Sequence, residues 1–277
     1  MEVLTFYAGQ GAFGVVRHID EAIIVDSRIC DSEVRSRDEI TTDLDRVLRG
    51  FRVPGLILTG FDCDHATPDG VDMILSRYLP DWIMYPGYYK DSENAAAVVR
   101  MIRKHEQKRQ FDSRPLRRLS VRVDRVESRR LANLSKRFQY ELFSPHIEDM
   151  SNSNCCSIVL KLTGVGPGGF SYLITGDTEN SRWERINQLF GNSLKSDVLA
   201  APHHGSRNAA NGATMLLVQP NTVLISAGVE NQYGHPDAQA VHAYAKVARH
   251  VFATNVKGGV SLFTKQSGFD FVTQLFK

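Results

Sequence analysis

Four apolar stretches of this chain each run out into acidic or imidazole side chains, and that pattern constrains the fold more than any other feature. Leu56-Ile57-Leu58 leads into Asp62, Asp64 and His65. Tyr172-Leu173-Ile174 leads into Asp177, and Val198-Leu199-Ala200 into His203 and His204. Val223-Leu224-Ile225 precedes the polar turn that bears His235. Short apolar runs bounded by turn residues read as buried strands. Four of them ending this way is the layout expected when strand ends converge on one catalytic edge.

The richest stretch is residues 56–70, where Asp62, Asp64 and His65 fall within four residues. A core strand fixes the backbone there, and alternate loop residues then point at one spot. Short carboxylates with an imidazole suit zinc, manganese or iron better than calcium, which prefers oxygen ligands alone. Taken singly, each segment has an ordinary explanation: an Asp-rich helix-capping turn, a Gly-Asp turn, or a surface His pair. Their joint occurrence points to a metal centre. Cys63 is expected to face away from it, because neighbours in an extended loop alternate. The other cysteines, Cys30 and the adjacent Cys155 and Cys156, offer neither a CxxC pair nor an ordinary bridge.

With 277 residues, 42% hydrophobic and 23% charged, the composition is that of a soluble globular protein. No apolar run approaches a membrane span and no secretory leader is evident, so cytoplasmic residence is the expectation. Strands are read at 3–8, 14–19, 22–26, 56–58, 82–85, 157–162, 170–175, 197–201, 222–226, 251–253 and 259–263. The first two are expected to pair across a tight turn at Gly9-Gln10-Gly11. Helices are read at 38–50, 68–78, 94–108, 183–190, 211–218 and 238–247. Strand groups alternate with helices through both halves, predicting an α/β chain folded as one αβ/βα sandwich, with two central sheets and helices outside. The net charge is only +2, yet fourteen Lys/Arg stand against four Asp/Glu between Arg100 and Arg137. A basic stripe beside a metal edge is what a phosphate backbone would select; a solvated helix face is the ordinary reading.

In their order these pieces resemble the metallo-β-lactamase fold, and within it the soluble domain of the ComEC DNA-uptake proteins and its free-standing relatives. The likeness is carried by Gly9-Gln10-Gly11, Ile24-Val25-Asp26, Asp62-x-Asp64-His65, Asn152-Ser153-Asn154, Leu173-Ile174-Thr175-Gly176-Asp177, Pro202-His203-His204-Gly205-Ser206 and Tyr233-Gly234-His235-Pro236, which together span residues 3–264. It implies a single four-layer domain over residues 1–277. It also implies a metal held by Asp64, His65, Asp177 and one of His203 or His204, with His204 preferred as the residue before Gly205. The family's Asp at position 26 orients the metal loop.

Relatives carry His-x-Asp-x-Asp-His where this chain has Gly60-x-Asp62-x-Asp64-His65, so a second site keeps Asp62 but loses a ligand, and Asn154 stands where other branches place a histidine. One zinc or manganese ion is therefore expected in preference to two. Asp62 would orient the attacking water or act as general base, and His235 would donate to a non-bridging oxygen or the leaving group. The implied function is a metal-dependent hydrolase, a phosphodiesterase or nuclease acting on DNA or a nucleotide. The alternative is a catalytically degenerate module that binds nucleic acid or regulates a protein partner. Gly60 favours it, as do Ala8 and Ala12, where relatives tend to carry Asp. Free-standing relatives also link the chain to bacterial defence loci.

Overall fold

Alternation within the strands builds the layers. This computed structural model describes residues 1–277 apart from 125–130, 132, 147–151, 210, 257 and 277. Eight strands form the first sheet: β1 (Glu2–Thr5), β2 (Gly14–His18), β3 (Glu21–Val25), β4 (Arg52–Ile57), β5 (Trp82–Pro86), β6 (Arg117–Val121), β13 (Ser261–Ser267) and β14 (Asp270–Phe276), in the order β14-β13-β1-β2-β3-β4-β5-β6. The second sheet holds β7 (Phe138–Ser144), β8 (Val159–Gly164), β9 (Ser171–Ile174), β10 (Val198–Ala200), β11 (Thr222–Ile225) and β12 (His250–Ala253), ordered β12-β11-β10-β9-β8-β7. The strands that lead to the site are parallel to their neighbours: β3-β4-β5-β6 in one sheet and β9-β10-β11-β12 in the other. Their C-terminal ends therefore share an edge.

Side chains of odd and even register go to different cores. Ile23, Ile57, Trp82 and Met84 of the first sheet meet Leu160, Ile174, Val198 and Leu224 of the second between the sheets. Ile24, Leu56, Leu58 and Ile83 face outward against α1 (Arg37–Leu48), α2 (Pro68–Arg77) and α3 (Glu93–Lys108). Leu173, Leu199, Val223 and Ile225 face the other way, onto α4 (Asn180–Phe190), α5 (Gly212–Val218) and α6 (Ala238–Ala245). The result is the four-layer sandwich expected from the sequence. The helices start where the sequence provides caps: a reciprocal Ser36–Glu39 capping box opens α1, and Thr67 with Pro68 opens α2. Among the described residues no helix is long and apolar enough to cross a membrane.

Three strands escaped the sequence reading. β14 and β6 lie at the open edges of the first sheet, where one side of the ladder faces solvent and apolar alternation is not required; in β6, Arg117, Arg118 and Ser120 are exposed and Val121 alone is buried. β7 does alternate, Phe138 and Tyr140 in, Gln139 and Glu141 out, and adjoins the segment read only for its charge. The first two strands pair as expected, but β1 ends at Thr5 and β2 starts at Gly14. The loop between them is no tight turn. It reaches to the site, where the Ala12 N–H donates to the Asp64 carbonyl at 2.8 Å.

Candidate metal centre

Each strand end hands its side chain to the site through contacts that fix the backbone first. Beyond β4, the Leu58 N–H donates to Met84 O at 2.8 Å, and the Thr59 N–H to Asp26 Oδ1 at 2.7 Å. The chain then turns tightly on Asp62, whose carbonyl accepts from the N–H groups of both His65 and Ala66 at 2.9 Å. Asp177 follows Gly176, which has φ +51° and sits so close to Ser157 that a Cβ would lie 2.9 Å from that side chain. Only glycine serves there. His203 and His204 both occupy the left-handed region, with φ of 49° and 54°, at a cost on the order of 1–3 kcal/mol each. Several bonds offset it. The His203 N–H donates to Gly176 O at 3.0 Å, the Ser206 N–H to His203 O at 2.8 Å, and the His204 Nδ1–H to Ser226 O at 2.8 Å.

Asp64, His65, Asp177 and His204 converge, their nearest ligand atoms all within 4.8 Å of one another. His65 Nε2 lies 2.9 Å from Asp177 Oδ1, while His204 Nε2 lies 3.6 Å from that oxygen and 3.5 Å from Asp64 Oδ2. Four ligands at ordinary zinc distances sit about 3.4 Å apart at the corners of a tetrahedron, so the separations fit one ion. His65 Nε2, His204 Nε2 and Asp177 Oδ1 are buried and make no hydrogen bond; ordinarily such atoms are paired. Their tautomers suit ligation as well. His204 spends its Nδ1 proton on the Ser226 carbonyl, and His65 points Nδ1 at Asp26 Oδ2 (3.0 Å), leaving each Nε2 for the centre.

The charges are mutually dependent. Burial works against a charged His65, but Asp177 and then Asp26 outweigh it and hold its pKa well above the usual value. Burial likewise opposes charge on His204, and Asp177 and Asp64 overcome it, raising that pKa. Asp177 and Asp64, despite burial, are held below the carboxylate range by the two imidazoles. A cluster this dependent on opposite charge is one that a cation can take over. The residues fit a divalent ion with nitrogen and oxygen ligands.

No family model matches the chain. It is 32% identical over 125 residues to ComE operon protein 3 of Bacillus subtilis, a stretch covering 45% of this chain and 16% of that protein. It is 31% identical over 124 residues to recombination protein 2 of Haemophilus influenzae, covering 44% and 15%. The chain thus corresponds to a small part of either relative. Among solved structures, the metallo-β-lactamase fold protein YhfI of Bacillus subtilis superposes with a TM-score of 0.52 at 11% identity, over 95% of this chain and 98% of that one. A metallo hydrolase from Ignicoccus hospitalis superposes with a TM-score of 0.50 at 15% identity, over the whole of both chains. This chain has the metallo-β-lactamase fold.

Within that fold the sequence-predicted residues part ways. His203 does not join the four; its Nδ1 is 3.6 Å from Glu179 Oε1 and its ring 5.7 Å from that of His235. Asp62, His203 and His235 instead line an open cleft of about 730 Å³ above the four residues. Burial, then the charges of His203 and His204, push the His235 pKa down. A Cβ on Gly60 would meet nothing within 4 Å. Asn154 gives its amide to Glu179 at 2.9 Å, as Asn152 does at 3.1 Å. Cys63 is exposed and stands outside the four-residue group.

The described part of the basic segment lies elsewhere. None of its described residues lines the cleft, and several face acids of the chain itself: Arg114 with Asp81, Arg118 with Glu106, Arg137 with Asp20. Three of its fourteen basic residues, Arg125, Arg129 and Arg130, fall outside the described residues. Arg28 is the arginine that does line the cleft. It and Glu179 were missed in the sequence because nothing local marks them; each reaches the site through contacts far apart in the chain.

Proposed function

We propose that the protein is a metal-dependent phosphodiesterase acting on DNA or a nucleotide. What carries this reading is the convergence of three buried, hydrogen-bond-free ligand atoms on one point beneath an open cleft. The relative named for recombination favours a nucleic-acid phosphodiester over other esters. Asp64, His65, Asp177 and His204 would hold one zinc or manganese ion. The chemistry such an ion supplies when bound is Lewis acidity and a lowered pKa for the attacking water.

The chain's own residues do the rest. Asp62, a carboxylate that lines the cleft beside the four, would take up the proton of the attacking water. His235, its pKa depressed, is neutral near pH 7 and offers a hydrogen bond to a non-bridging oxygen of the phosphate. Asp26 keeps His65 in its working orientation.

One observation favours a second reading, a module that binds without turnover: Gly60 and the Glu179-bound Asn154 leave the second-metal position without two of its donors. The discriminating experiment is metal content after purification, followed by digestion of single- and double-stranded DNA with zinc or manganese. The proposal expects cleavage that Asp177→Ala abolishes. Salt-sensitive DNA binding without turnover under any metal establishes the binding module instead.

A further inference from the structure

The loop after β11 lines the cleft and is braced from within by Asn231. Asn231 Nδ2 donates to the carbonyls of Gly228 (2.8 Å) and His235 (2.6 Å), while its Oδ1 accepts from the N–H groups of Tyr233 (3.2 Å) and His235 (3.0 Å). Both peptide groups of His235 are thereby gripped. The loop is anchored again where the Gly228 N–H meets Gln10 Oε1 at 3.0 Å and the Val229 N–H meets the Tyr7 hydroxyl at 3.2 Å. On this rigid arm the Tyr233 ring lies nearly parallel to His235, with 6.0 Å between centroids and 20° between planes, and lines the cleft while 59% exposed. An aromatic ring that open contributes little to folding. Its place beside the histidine that faces the phosphate gives it another use.

We propose that Tyr233 is the base-stacking platform of a nucleotide subsite, so that the substrate is a phosphodiester with an unpaired nucleobase next to the scissile phosphate. This rests on the phosphodiesterase reading and narrows its substrate. Aromatic faces accept any base and add no sequence preference. The charge of the cleft agrees with an unpaired strand or short nucleotide over a duplex. Arg28 is its lone arginine or lysine among the described residues, whereas Asp31, Glu33 and Glu230 also line it. A long duplex would set several phosphates against those acids; one phosphate at the metal centre with its base on Tyr233 would not. Asn231 acts through Tyr233 and His235, as a positioning residue.

The test is fluorescence-anisotropy binding of a short phosphorothioate single strand to the zinc-loaded protein, compared with an abasic strand of equal length and with the duplex. Tyr233→Ala is expected to weaken single-strand binding about five- to a hundredfold, the range of one base–aromatic stack. Tyr233→Phe should retain affinity, and the abasic strand and duplex should not distinguish Tyr233→Ala from the wild type. Unchanged affinity in Tyr233→Ala overturns the proposal. So does an equal loss on the abasic strand, or a wild-type protein that binds no single strand. Cleavage is scored separately: a Tyr233-dependent binder that hydrolyses nothing refutes the catalytic reading and leaves the subsite standing.

Discussion

At the scale of single residues, two glycines on either side of the site should behave oppositely. Gly176→Ala forces a side chain onto a positive φ and into Ser157, and should destabilise the protein by about 1–3 kcal/mol in denaturant unfolding. Gly60→Ala meets open space and should leave stability unchanged. Asp26→Asn keeps the shape beside Thr59 and His65 but removes the charge that orients the imidazole. Metal affinity should fall about 10- to 100-fold in chelator competition, with the fold intact. The converging residues were legible as candidates in the sequence because each lies just beyond an apolar run that fixes its backbone, and it was the family resemblance that separated Asp64, His65 and Asp177 from the other candidates. The choice between His203 and His204 was not, since adjacency alone does not tell which ring a left-handed turn swings inward. Glu179 and Asn231 were silent for a related reason: their partners are set by where loops meet, and no periodicity encodes that.

Among the elements, the strand–helix alternation was readable wherever a strand is buried on both faces, as in β4, β5, β10 and β11. It failed at β14, β6 and β7, edge strands where half the constraint is gone, while the edge strand β12 was read. Trp82 illustrates what the buried strands contribute. It is fully buried between the sheets, it donates its indole N–H to the Leu134 carbonyl at 2.8 Å, and its ring leaves no room for a side chain at Gly55. Trp82→Ala should cost about 3–5 kcal/mol, read as a lowered denaturation midpoint. The helix caps matter less individually. Ser36→Ala, which breaks the reciprocal box at the start of α1, should cost about 0.5–2 kcal/mol by the same measurement.

For the molecule as a whole, the site couples metal uptake to protons and to stability. In the metal-free protein, His65 and His204 have raised pKa values, so the stability they contribute is fully present below 6.5 and is lost as pH rises through the folded values. Asp64 and Asp177 have depressed values. Their contribution is present above 3.8 and lost as pH falls through the folded values. A bound cation requires both imidazoles neutral, so binding should release protons. Titration calorimetry in two buffers of different ionisation enthalpy should detect that release, and the rise in unfolding temperature on adding zinc should grow as pH increases above 6.5. A zinc effect independent of pH would contradict the charge pattern.

The most direct measurement is an anomalous-scattering map from crystals soaked in manganese. One strong peak should appear within bonding distance of His65 Nε2, His204 Nε2, Asp177 and Asp64. A map with no peak there, or with its peak at another cluster, would contradict the account.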